Sequence, residues 1–95
     1  MKRASIVLCA VILIAGLAAG CATSNAMRDA REQLQKAKAA GAEWSAPYEY
    51  YAGEAYLKKA TFEVEEGDYK QANIWTKQSS DYSAKALGMA KGGAK

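Results

Sequence analysis

The sequence contains no histidine, a single proline at Pro47 and two cysteines, Cys9 and Cys21. Without histidine there are no imidazole acid–base groups, no Cys–His nucleophile pair and few ways to build a zinc site. A phosphate-cradling loop is also missing, since Gly92-Gly93 has no helix after it to present its amide groups. The carboxylates Glu63, Glu65, Glu66 and Asp68 crowd together, but their spacing is not that of an EF-hand and Glu65 points away from Glu63 and Glu66. They read as a solvated helix end. No stretch alternates apolar and polar residues as a half-buried strand does. An enzyme would have no residues to carry it, and no metal, cofactor or small-molecule substrate is expected.

An excess of one charge is missing too. The chain has 13 Lys+Arg against 10 Asp+Glu. Lys2 and Arg3 stand before a long uncharged run, so residues 21–95 keep 11 of those basic side chains against all 10 acidic ones. That balance gives no attraction for nucleic acid.

What the sequence does have is a sharply divided front. Met1-Lys2-Arg3 is a positive n-region, Ile6 to Ala19 is a 14-residue apolar run, and Ala18-Ala19-Gly20 leads into Cys21. As a helix the run would rise about 21 Å, short of a hydrocarbon core of about 30 Å. It reads as an export leader, residues 1–20, in preference to a membrane-spanning segment. Leu17-Ala18-Ala19-Gly20-Cys21 resembles the lipobox of bacterial lipoproteins, with Ala18 where leucine is usual. The resemblance implies a diacylglyceryl thioether on Cys21, cleavage before it, and acylation of the new amino group. A thiolate is the nucleophile such a transfer needs, and several chains anchor stably where one does not. The covalent lipid is then the only added group, Cys9 leaves with the leader, and the membrane is the first partner. Ala22 after the cysteine resembles the pattern of lipoproteins sorted to the outer membrane, facing the periplasm.

Behind residues 21–24, a lipidated N-terminus and short linker, the pattern predicts an all-α domain over 25–90 and a flexible tail over 91–95. Three helices are expected, at about 25–40, 47–66 and 69–90. Ser24 or Asn25 can cap the first, whose Met27, Ala30, Leu34 and Ala37 recur at spacings of three and four. Gly41 ends it, residues 42–46 form a link, and Pro47 suits the first turn of the next helix. The second helix carries two apolar faces. Tyr48, Tyr51, Ala52, Ala55 and Phe62 lie on one, and Tyr50, Gly53, Leu57, Ala60 and Val64 on the other. Two faces call for two neighbours, so this helix is expected either as the middle of an open layer or as a helix with one face left for a partner, not as part of a closed bundle. Gly67 and Asp68 cap and restart the chain, making the last two helices an antiparallel hairpin.

Gly67-Asp68-Tyr69-Lys70-Gln71-Ala72, with Tyr56 and Ala60 before it, resembles the turn of a tetratricopeptide repeat and implies repeat-like geometry with a peptide-binding option. A wider likeness runs through Ala30, Leu34, Ala37, Gly41-Ala42, Ala46-Pro47, Ala55-Tyr56-Leu57-Lys58-Lys59-Ala60, Gly67-Asp68-Tyr69, Ala72 and Ala86. It resembles a family of short alanine-rich bacterial lipoproteins built on a helical domain of unknown function, which also occurs ahead of OmpA-like peptidoglycan-binding domains. The resemblance implies three helices and an envelope location, and it brings no activity.

All nine aromatics fall between Trp44 and Tyr82. Phe62, Tyr69, Trp75 and Tyr82 are expected in the core, because a thin alanine stripe needs large residues to bury area. Trp44, Tyr48, Tyr50 and Tyr51 gather at the link, where either packing or a partner-binding site fits; that partner is an envelope protein or a second copy. Finally, a lipidated cysteine with a terminal Lys95 resembles the major outer-membrane lipoprotein, whose last lysine is joined to peptidoglycan. The expected function is that of a non-enzymatic, lipid-anchored structural or adaptor protein of the envelope, with peptidoglycan attachment through Lys95 as the alternative.

Overall fold

The computed structural model describes residues 2–93, and the side chains of residues 5–9 and 21–92. Lys95 lies outside the described residues. The described chain is all-helical, in the order α1 (Lys2–Ala39), α2 (Ala42–Ser45), α3 (Pro47–Glu65) and α4 (Tyr69–Gly93). It measures 69 × 18 × 14 Å.

The first helix departs most from expectation. Instead of starting near residue 25, α1 runs 38 residues without a break, through the apolar run and through Cys21. Nothing between Lys2 and Ala39 forbids this: the stretch has no proline, and Ala, Leu, Gln, Lys and Arg are strong helix formers. Thr23-Ser24-Asn25 ends the apolar run without ending the helix. Residues 21–24 are therefore no linker. Thr23 is buried, and its hydroxyl donates to the Asn73 side-chain carbonyl at 2.9 Å, fastening this turn of α1 to α4.

The remaining boundaries follow local chemistry. Gly41 takes φ 85°, which ends α1, and the link that follows closes into the single turn α2. Pro47 opens α3, where its missing N–H costs nothing. At the other end the Gly67 N–H donates to the Val64 carbonyl at 3.0 Å and the Asp68 N–H to the Glu63 carbonyl at 2.8 Å, with Gly67 at φ 79°. This paired motif uses up carbonyls that the helix end would leave bare. Asp68 then accepts from the Gln71 N–H at 3.0 Å and starts α4. At its far end α4 continues through Lys91 to Gly93, over most of what reads as a tail.

Contacts set the directions. Thr23 meets Asn73, Leu34 and Ser83 meet Gly53, and Tyr56 meets both Trp75 and Tyr82. Thus α1 and α4 run parallel, and α3 returns between their levels in the opposite sense. The middle helix is α4 and not α3: α4 packs along both long neighbours, while α1 and α3 touch over a shorter stretch.

The interior is made of small side chains. Ala30, Ala37, Ala42, Ala46, Ala60, Ala72, Ala86 and Ala90 are buried, with Met27 and Tyr50, and α4 adds Thr76, Ser79 and Ser83. Among the described residues, no side chain larger than threonine is fully buried. The backbones compensate by approaching closely. The Ser79 hydroxyl donates to the Gly53 carbonyl at 2.7 Å, and a Cβ on Gly53 would stand 2.6 Å from the Ser83 Oγ. Any side chain at Gly53 would have to displace the Ser83 hydroxyl, and each close backbone contact adds dispersion that bulky side chains would have prevented.

Candidate functional site

Two regions bear on function: the Cys21 end of the body and the aromatic side of the α3–α4 hairpin. Cys21 and Cys9 are both exposed, free thiols. Thr23 lies two positions after Cys21 and is the first buried side chain among those described from residue 5 onward. This part of α1 lies where α3 ends and α4 begins. Beside it a half-open hollow of about 210 Å3 is lined by Thr23, Ser24, Met27, Arg31, Thr61, Val64 and Glu65. Ile6, Val7 and Leu8, near the start of α1, are exposed. Among the described residues, no helix is long and apolar enough to cross a membrane.

The four aromatics of the expected partner site divide. Trp44 is 90% exposed, Tyr48 70% and Tyr51 51%, but Tyr50 is only 5% exposed. Tyr50 belongs to the core with Ala37, Ala42, Ala46, Ala86 and Ala90. Burial, with Glu43 and Glu54 nearby, holds its phenol above the ordinary 10.0. The reason is angular: one residue along a helix turns the side chain by about 100°, so Tyr50 faces inward and Tyr51 does not.

The aromatics expected in the core are displaced from it. Phe62 is 57% exposed, and Tyr69, Trp75 and Tyr82 are half-buried. Helices that meet through alanine, serine and glycine lie too close for rings between them, so the rings move to the groove's rim. There they form a row. Tyr48 meets Tyr82 edge-on at 6.1 Å, Tyr82 stacks on Tyr56 at 5.7 Å and 8°, and Tyr56 stacks on Trp75 at 5.5 Å. The Lys59 ammonium caps the row, 5.2 Å from the Tyr56 ring centre and 5.0 Å from that of Trp75. The row ends at a shallow groove lined by Lys58, Lys59, Phe62, Glu63 and Trp75. The buried stripe of α4 is Ala72, Thr76, Ser79, Ser83, Ala86 and Ala90, with Trp75 and Tyr82 beside it, and the spacing of three and four fits either set.

Among the described residues no three His, Cys, Asp or Glu side chains gather to hold a metal. No family model, curated protein or solved structure matches the chain.

Proposed function

We propose that this protein is a non-enzymatic lipoprotein of the bacterial envelope, anchored through Cys21 to the outer membrane and facing the periplasm, where it serves as a structural or adaptor element. The observation that carries the reading is the junction at Ala18-Ala19-Gly20-Cys21: the apolar run gives way there to polar Thr23-Ser24-Asn25, and Thr23 is buried. Removal of residues 1–20 would take away no side chain described as buried. We read the body as three long helices, with α2 a turn within the link, and α3–α4 as a tetratricopeptide-like hairpin. The exposed face of α3, with Tyr48 and Tyr51, is its partner-recruiting surface, and Trp44 stands beside it.

The test is Cys21→Ser. The expected result is release of the protein from the membrane fraction; a variant that stays membrane-bound contradicts the anchor. One observation favours a second reading, attachment of Lys95 to peptidoglycan. Because α4 runs parallel to α1, Gly93 leaves the body at the end opposite Cys21, which directs the C-terminus away from a lipid at Cys21. Deleting Lys95 would then free the protein from purified sacculi.

A further inference from the structure

The outward face of α3 is apolar and uncovered. Tyr48, Tyr51, Ala55 and Phe62 form a stripe along it, all exposed, on the side of the helix away from Gly53 and Ala60. A second observation makes that exposure meaningful. The interior buries no side chain larger than threonine completely, so a small body gains little from its own core. Domains of this size commonly draw the missing stability from association.

A third observation identifies the occupant, because the stripe complements itself about Ala55. Tyr48 and Phe62 lie at equal distances before and after it, as do Tyr51 and Lys59. Glu54 and Lys58, paired at 3.5 Å within one chain, lie on one flank of the face. Glu54 and Lys58 are centred one position on, at Tyr56, so turning a copy end for end about Ala55 brings Glu54 within one helical turn of Lys58 of the partner subunit, and Lys58 within one turn of Glu54 of the partner subunit. The same operation sets Tyr48 against Phe62 of the partner subunit.

We propose that this face binds a second copy of the chain, α3 against α3, antiparallel and crossing at Ala55. Alanine at the crossing lets the axes approach to about 8 Å, and the aromatics close the gap on either side. A two-fold contact of this kind is closed: it uses the same patch on both copies and leaves no apolar stripe for a third. It deepens the partner-recruiting part of the proposed function by naming the partner. Under the anchor reading, the two Cys21 residues sit at opposite ends of the pair, so the dimer lies along the membrane.

The experiment uses the full chain in mild detergent, carrying Cys9→Ser and Cys21→Ser so that an introduced thiol is the only one. The result is then independent of acylation, and the lipid reading stands or falls separately. Ala55→Cys is compared, under mild oxidation, with Lys36→Cys on the exposed side of α1. The expected result is a disulfide-linked product of twice the chain mass from Ala55→Cys, roughly tenfold more abundant than from Lys36→Cys, the ratio of about 1.4 kcal/mol of preference. Adding Phe62→Asp to Ala55→Cys should remove it. A chain that stays single, links equally through both positions, or keeps linking with Phe62→Asp overturns the proposal.

Discussion

Tyr50 and Tyr51 are adjacent, with ring centres 5.1 Å apart and edge to face, yet one is core and the other surface. The same division runs the length of α3. Its inward face presents Gly53 and Ala60, which let α4 come close enough for Ser79 to bond the Gly53 carbonyl. Its outward face presents Tyr48, Ala55 and Phe62, larger on average, more apolar and all exposed, with Tyr48 reaching Tyr82 at one edge. The difference reverses the usual expectation that the biggest hydrophobic groups lie deepest. Here the interior is specified by the smallness of side chains, and the large ones are left for contact.

Substitutions on the two faces should separate accordingly. The largest effect is expected at Gly53→Leu, whose side chain must enter a space where even a Cβ lies 3.3 Å from the Ser83 backbone nitrogen. A loss of about 3 kcal/mol is expected in denaturant unfolding. Gly53→Ala combined with Ser83→Ala sharpens the point. The pair removes both the clash and a buried hydroxyl that has no partner, so the double variant should be at least as stable as the parent. Next comes Ser79→Ala, which deletes the bond to the Gly53 carbonyl and should cost about 1 kcal/mol in the same assay.

Alkaline pH offers a smaller, conditional test of the inward face. The Tyr50 phenol is held above its ordinary 10.0, so the folded chain keeps that proton longer than the unfolded chain. Stability from this group is complete below pH 10 and is lost as pH rises through the folded value. Melting curves should therefore decline above about pH 10, and less steeply in Tyr50→Phe. Tyr82, raised by the Tyr48 hydroxyl beside it, leaves some decline in that variant. The smallest effect is expected outward: Phe62→Asp, measured dilute enough to keep the chain single, should change unfolding by less than about 0.5 kcal/mol.

Much of this architecture can be read in the residues. Gly41, Pro47, Gly67 and Asp68 mark boundaries through backbone conformation and capping, which are local, and each acts as its chemistry dictates. The two faces of α3 follow from periodicity. What periodicity cannot give is which face meets a neighbour, because that depends on how closely other helices approach. This is why Tyr50 groups with the exposed aromatics in the sequence and with Ala86 in the fold. Likewise, the polar residues Thr23 to Asn25 suggest a helix start by composition. Thr23 instead finds Asn73, fifty positions away, and that partner is not visible locally. The lipid-site reading of Cys21 comes from the leader pattern, and the fold contributes its position at the edge of the body.

The most direct measurement is the intact mass of the mature protein extracted from membranes. The account predicts a chain beginning at Cys21, heavier than its residues by a diacylglyceryl group and an amide-linked acyl chain. A mass matching the uncut sequence, or a chain starting at Cys21 with an unmodified thiol, would contradict it.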